Sequence, residues 1–186
     1  MRVLGVAGSL RAGSYNRSLL RCIADVMPDQ MHLTVFDLAD IPMFNADVEQ
    51  VGDPSAVLAW KSAIADADAL LFATPEYQHG IPGVLKNALD WASRPAGSSA
   101  LQGKPAAIVG ATPGVTGTAR AQEQLRQVLA FSNVFVVPSP EVLIGRAHDK
   151  FDATGRFTDQ SAVPFIQTLL QNLHALTLAL QSGHLQ

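Results

Sequence analysis

Hydroxyl, guanidinium and amide groups cluster in residues 8–16, between a short apolar run and an amphipathic stretch. This position predicts a turn from a strand into a helix. Ser9 and Ser14 offer hydroxyl donors, and Arg11 offers a forked cation suited to phosphate oxygens. Asn16 is expected to cap the helix, whose first N–H groups and dipole attract an anion. The turn therefore favours a phosphate site, with an ordinary capped surface turn as the alternative.

The two best-known nucleotide motifs do not occur in this segment. No GxxxxGK[ST] pattern is present, and Gly5, Gly8 and Gly13 lack the GxGxxG spacing. A dinucleotide-binding Rossmann turn and a Walker ATPase loop are therefore excluded as explanations for these glycines and serines.

Composition limits the classes of protein that the chain could represent. Its 186 residues, 48% of them hydrophobic, predict one domain over residues 1–186. A net charge of −3 argues against a nucleic-acid partner but leaves a small anionic ligand possible. A single cysteine, Cys22, excludes an intramolecular disulfide and suits a reducing compartment. With no leader and no long apolar run apparent, we expect a cytoplasmic protein without a membrane partner.

Metal binding is not expected from the sequence. The five histidines show neither HExxH nor another ligand spacing: His32, His79, His148, His174 and His184. Of these, only His79 is placed where it could touch a substrate, because it lies in a loop that follows a buried strand.

Apolar runs alternate with helical patterns along the whole chain. Strands are predicted at residues 1–7, 31–36, 68–74, 104–111 and 134–137. Helices are predicted at 16–23, 54–67, 82–93, 118–131 and 159–181, with a loop over 39–53. Strict alternation implies an α/β fold in which a parallel sheet carries helices on both faces.

Three loops of unusual composition follow strands one, three and four: residues 8–15, 75–81 and 112–117. Ligands of such sheets bind beyond the carboxyl ends of the strands, near the point where the strand order reverses. We therefore expect these loops to meet and form one site.

The residues of the first two loops resemble a known family. Gly8-Ser9-Leu10-Arg11 with Ser14 and Asn16, followed by TPEYQHGIPGVLKNALDW at 74–91, closely resembles the NADPH-dependent FMN reductases. That family includes bacterial quinone and chromate reductases and relatives of the azoreductases. The likeness extends from residue 1 to roughly the closing helix, and 75–91 is its most specific part. It implies a flavodoxin-like three-layer sandwich with a five-stranded parallel sheet of order 2-1-3-4-5.

The resemblance also implies which residues bind FMN. The phosphate would be held by Ser9, Arg11, Ser14 and Asn16. The isoalloxazine ring would lie along Pro75, Glu76, Tyr77 and Gln78, with Thr112, Pro113 and Gly114 at its pyrimidine end. No catalytic side chain is implied, because the flavin itself carries the hydride.

The implied reaction takes hydride from NADPH or NADH to FMN and passes electrons to a quinone, flavin, azo compound or metal ion. The resemblance further implies a homodimer or homotetramer. This chain departs from the family at Gln78, where relatives usually have Asn, and at His79, where they commonly have a small residue. Relatives also often have a Gly-Gly pair just before the arginine, where this chain has Gly117-Thr118-Ala119-Arg120. Two rival hypotheses stay open: a flavodoxin-type electron carrier and a phosphate-binding regulatory domain without redox activity.

Overall fold

The computed structural model describes residues 1–183, which form a parallel sheet covered by helices on both faces. Its strands are β1 (Arg2–Ala7), β2 (His32–Phe36), β3 (Ala69–Ala73), β4 (Pro105–Ala111), β5 (Phe135–Val136) and β6 (Val142–Ile144). The order β2-β1-β3-β4-β5 confirms the predicted topology.

Six α-helices connect or follow these strands. They are α1 (Tyr15–Asp25), α2 (Ala46–Val51), α3 (Ser55–Asp66), α4 (Gly83–Ala92), α5 (Ala119–Phe131) and α6 (Val163–Gln181), with one 3-10 turn at Ala147–Asp149. No helix in residues 1–183 combines the length and the apolar character needed to cross a membrane.

Two hydrophobic cores lie on opposite faces of the sheet. One packs Leu71 of β3 against the apolar sides of α1 and α6. The other packs Phe72 of the same strand against α3, α4 and α5, and it includes the fully buried rings of Trp60 and Trp91. Every residue of β3 is buried, as its continuously apolar sequence predicts for a central strand.

The fifth position of the sheet differs from the prediction of one strand at 134–137. Only two residues of that stretch form β5, and β6, which the sequence analysis missed, continues the pairing with β4 further along. Pro138 and Pro140 lie between the two strands. Because proline has no N–H to donate to the ladder, the strand is interrupted there.

Two helix predictions also need correction. The predicted loop at 39–53 contains α2, which Asn45 caps by accepting a hydrogen bond from the N–H of Asp47 at 2.9 Å. This helix buries none of its residues, so it lacks the apolar periodicity that marks a packed helix. The closing helix begins at Val163 rather than at 159, since the side chain of Asp159 instead accepts hydrogen bonds from Ser161.

Candidate functional site

The three predicted loops meet at the carboxyl edge of the sheet. The N–H of Gly8 donates to the carbonyl of Ala73, and the N–H of Thr74 donates to that of Val109, both at 2.9 Å. These bonds continue the strand ladders into the loops. The loops at 8–15, 75–81 and 112–117 therefore lie side by side, as strand order requires.

The first loop presents hydrogen-bond donors that the protein does not use. The hydroxyl oxygens of Ser9 and Ser14 are buried, and each accepts a backbone N–H, at 3.4 Å in both cases. Their own protons are thus available to an anion. Tyr15 and Asn16, at the start of α1, have backbone N–H groups without a partner in the described chain. The exposed guanidinium of Arg11 lies 5.6 Å from the centroid of the Tyr15 ring.

Asn16 does not cap α1, contrary to the sequence prediction. Ser14 is the N-cap residue, and its side chain accepts from the N–H of Arg17. The amide of Asn16 is instead buried against β4, where it donates to the carbonyl of Ala111 and accepts from the N–H of the same residue. Its side chain therefore joins the first loop to the start of the third, and only its backbone N–H faces the possible anion site.

The second loop contains a tight hairpin that the sequence analysis did not foresee. Tyr77 and Gly80 exchange two backbone hydrogen bonds, each 3.0 Å long. Gln78 and His79, between them, have φ values of 49° and 62°, in the left-handed region. Both positive values indicate a primed two-residue turn, which usually contains Asn-Gly. The N–H groups of Gln78 and His79 have no partner among residues 1–183 and take no part in the hydrogen bonds that close the hairpin.

Tyr77 connects this hairpin to the first loop. Its hydroxyl donates to the Oγ of Ser9 at 3.3 Å, while about half of the residue stays exposed, at 52%. The backbone of the first loop also lies close to the proline ring that begins the second loop. A Cβ placed on Gly8 would lie 3.1 Å from the Cδ of Pro75, so only glycine fits comfortably there.

Glu76 contacts the third loop's helix rather than standing free. Its carboxylate accepts hydrogen bonds from the backbone N–H groups of Arg120 and Ala121 and forms an ion pair with the guanidinium of Arg120 at 3.2 Å. Of the four predicted ring-contact residues, Pro75 is buried at the base, Glu76 faces α5, and Tyr77 and Gln78 are exposed at the rim.

The third loop is fixed by a segment that the sequence analysis missed. The N–H of Arg146 donates to the carbonyl of Gly114, and the N–H of Ala147 to that of Thr112, both at 3.0 Å. Thr112 is half-buried, whereas Pro113 and Gly114 are exposed. Arg146, with a left-handed φ of 49°, thereby joins the rim. The only available signal was the short apolar run of β6 before it.

Two basic side chains with lowered pKa values lie away from this rim. Burial lowers the pKa of Lys104, which precedes β4 at the opposite edge of the sheet, and it lowers the pKa of Arg126 in the middle of α5. Residues 1–183 contain no cluster of three or more side chains suited to hold a metal ion. His184 lies outside the described residues.

Comparison with known proteins places the chain in a defined group. A sequence model of the NADPH-dependent FMN reductases matches residues 1–149. An NAD(P)H-dependent FMN reductase of Pseudomonas aeruginosa is 50% identical over 173 residues, which are 93% of this chain and 93% of that protein. A 2-hydroxy-1,4-benzoquinone reductase of a Burkholderia species is 39% identical over 175 residues, covering 94% and 95% of the two chains.

Solved structures agree with the sequence comparisons. The flavoenzyme NAD(P)H:(acceptor) oxidoreductase FerB of Paracoccus denitrificans superposes with a TM-score of 0.84 at 33% identity. The match covers 97% of each chain. The whole described architecture, not only the first two loops, is thus shared with a flavoenzyme.

Proposed function

The chain belongs to the NADPH-dependent FMN reductase family, and we propose that its three loops bind FMN so that NADPH or NADH can deliver a hydride to it. The family assignment gives the reaction class and the cofactors. The assignment of individual residues to the flavin is our proposal and depends on the geometry of the rim.

Unused donors at the start of α1 are the observation that carries this proposal. The protons of the Ser9 and Ser14 hydroxyls and the N–H groups of Tyr15 and Asn16 lie together at the positive end of a helix. Arg11 adds a flexible cation from the loop before them. Such a set of donors fits the dianionic phosphate of FMN. None of these donors is already bonded to an acceptor of the described protein, so all of them can bind the phosphate.

The second loop fits the edge of a flavin ring. The unpaired N–H groups of Gln78 and His79 suit acceptors along the ring's N5 and O4 edge, and the half-exposed ring of Tyr77 can pack against an aromatic ligand. We assign the pyrimidine end to Thr112, Pro113 and Gly114. Pro75 is buried at the base of this site, and Glu76 attaches the second loop to the start of α5.

The protein's part in the reaction is to bind and orient. FMN, when bound, supplies the hydride acceptor and passes electrons to the second substrate. The hydroxyl of Thr112 accepts the N–H of Gly114 at 3.4 Å and keeps its own proton, which would stabilise the negative charge that gathers at the pyrimidine end on reduction. The rim stays open at Tyr77, Gln78 and His79, so nicotinamide and acceptor can use the same face in turn. This alternation requires no side-chain acid or base.

The second substrate is a small molecule. We propose quinones as the principal acceptors, because the Burkholderia relative is a 2-hydroxy-1,4-benzoquinone reductase at 39% identity. Free flavins, azo compounds and oxidised metal ions are further acceptors that an open flavin face would serve. The rim also has three arginines that could contact the hydride donor, NADPH or NADH: Arg11, Arg120 and Arg146. Of these, Arg120 is already paired with Glu76.

A flavodoxin-type electron carrier is the second candidate. It would bind FMN at the same edge but would have no nicotinamide pocket. The net charge of −3 is small for such a carrier, and Arg11 in the first loop also favours the reductase. A regulatory phosphate-binding domain would leave the donors of the hairpin unexplained.

Steady-state kinetics test the proposed function. The purified protein is loaded with FMN and mixed with NADPH or NADH and a benzoquinone, and nicotinamide oxidation is followed at varied concentrations of both substrates. We expect turnover with the parallel double-reciprocal lines of a ping-pong reaction. Binding of FMN without nicotinamide oxidation would identify a carrier, and failure to bind FMN would leave only the regulatory hypothesis.

We further propose that the chain acts as a single FMN-binding domain, assembles as a homodimer or homotetramer and works in the cytoplasm. Exposed apolar side chains such as Phe131, which is 90% exposed, would be buried more favourably in such an assembly. Light scattering of the protein as it elutes from a size-exclusion column measures the mass of the assembly. A mass of 19.7 kDa, that of one chain, would refute the oligomer.

A further inference from the structure

The hairpin of the second loop is held in a conformation that its sequence disfavours. Gln78 and His79 both carry a Cβ and both adopt left-handed backbone angles, which such residues rarely do. Two hydrogen bonds between Tyr77 and Gly80 close the hairpin, but they do not remove the strain at its tip. Conformations of this kind persist where the surrounding structure imposes them. Besides the bond from Tyr77 to Ser9, this hairpin is held by two attachments to α5.

The first attachment lies just before the hairpin. The carboxylate of Glu76 is only 8% exposed and accepts the N–H groups of Arg120 at 3.1 Å and Ala121 at 3.2 Å. Thr118, the N-cap residue of α5, makes no side-chain capping bond of its own. Glu76 therefore does from another loop what an N-cap residue normally does within the helix. Its negative charge also complements the helix dipole.

The second attachment lies just after the hairpin. The Oε1 atom of Gln124 accepts the N–H of Ile81 at 2.7 Å. A Cβ added to Gly80 would come within 2.6 Å of that same oxygen, so the hairpin backbone lies directly against the Gln124 side chain. Gln124 follows Arg120 by four residues, which is one helical turn. Both attachments are thus on one side of α5.

We propose that Glu76 and Gln124 are positioning residues: they clamp the hairpin to α5 from both ends and so hold the unpaired N–H groups of Gln78 and His79 in place for the flavin. The identity of the ligand in this inference rests on the proposed function, whereas the clamp rests on the hydrogen bonds alone. Because α5 begins directly after the third loop, the clamp also fixes the ring-edge donors of the second loop relative to the third loop.

Hydrogen exchange in FMN-free protein tests the clamp. We compare Glu76→Ala and Gln124→Ala with Glu123→Ala and Gln127→Ala, matched changes on the same helix at exposed residues that make no side-chain hydrogen bond in the described structure. The amides of Tyr77, Gly80 and Ile81 should exchange about tenfold faster in the first pair and unchanged in the controls. Gln124→Glu keeps an acceptor oxygen and should restore slow exchange.

FMN affinity is the second measurement on the same proteins. We expect the Kd for FMN to rise about tenfold in Glu76→Ala and Gln124→Ala, and to return towards that of the unaltered protein in Gln124→Glu. If Glu76→Ala fails to fold, the Gln124 pair decides. Unchanged exchange in Gln124→Ala, or faster exchange with unchanged affinity, would overturn the inference. An unaltered protein that binds no FMN would instead overturn the proposed function.

Discussion

The side-chain amide of Asn16 and the backbone of Ala111 make two hydrogen bonds to each other, one in each direction and each 2.9 Å long. Both residues are buried, and they are 95 positions apart in the chain. An amide side chain here takes the place of a neighbouring strand at the end of β4. The Asn16 side chain thus ties the start of α1 to the end of β4, just before the third loop.

Replacing Asn16 with alanine should therefore destabilise the fold. The change leaves a buried N–H and a buried carbonyl of Ala111 without partners, at a cost of about 3 kcal/mol in the free energy of unfolding. Urea unfolding measures this loss. Asn172→Ala is the control, because its exposed amide makes one bond to the carbonyl of Ser139 and should matter by less than about 1 kcal/mol. Equal losses in the two variants would contradict the role of Asn16.

Arg11 should discriminate between flavins with and without a phosphate. An Arg11→Ala variant loses a charged donor to the phosphate, so its Kd for FMN should rise about 10- to 100-fold. Its Kd for riboflavin, which has no phosphate, should not change. Fluorescence titration gives both constants. Arg21→Ala removes an arginine of α1 that bonds Ser18 instead, and it should bind both flavins normally. If the affinity for riboflavin falls as much as the affinity for FMN, the assignment of Arg11 to the phosphate is refuted.

The ring of Tyr77 should matter more than its hydroxyl. Tyr77→Phe loses only the 3.3 Å bond to the Oγ of Ser9 and should weaken FMN binding less than about threefold. Tyr77→Ala removes the aromatic surface and should weaken binding about tenfold. The same fluorescence titration compares them. If phenylalanine and alanine have equal effects, the ring does not pack against the flavin.

The sequence predicted the sheet and the three loops because local patterns determine them. A continuously apolar β3 and strict alternation of elements are sufficient to predict a parallel sheet with helices on both faces, and the carboxyl-edge rule then brings the loops together. The strand order itself was implied by the family resemblance, and the structure confirms it. Ser9, Arg11 and Ser14 were also selected as phosphate-binding candidates from residue type alone, and that assignment stays a prediction. All of these inferences use residues that are close together in the chain.

The features that the sequence did not reveal depend on contacts between distant residues. Asn16 has the side chain of a helix cap, but its partner is on β4; Glu76 looks like a solvated loop acid, but it caps α5. The left-handed turn at Gln78 and His79 contains neither Asn nor Gly, so no local signal marks it. The splitting of the fifth strand likewise follows from two prolines whose effect depends on the neighbouring β4.

Asp159 should make stability depend on pH in the acid range. Its hydrogen bonds with Lys150 and Ser161 lower the pKa of this carboxyl in the folded protein. The stabilisation is therefore complete above the unfolded-state value of about 3.9 and is lost as the pH falls through the lower folded-state value. We expect Asp159→Asn to cost about 0.5–1 kcal/mol at pH 7 and less near pH 2, as the carboxyl takes up its proton.

Urea unfolding of the Asp159→Asn variant at the two pH values checks this expectation. Asp29→Asn is the matched control, since Asp29 is exposed and makes no hydrogen bond or ion pair in the described residues. A cost that persists unchanged at low pH would show that the asparagine acts through something other than lost charge.

Diffraction from crystals soaked in FMN is the most direct test of whether the three loops form one flavin site. The structure predicts the phosphate against the N–H groups of Tyr15 and Asn16, within reach of Arg11, and the ring edge against the N–H groups of Gln78 and His79. Density for FMN in that position would establish the site. A crystal in which the same edge stays empty, or in which FMN binds elsewhere on the molecule, would contradict it.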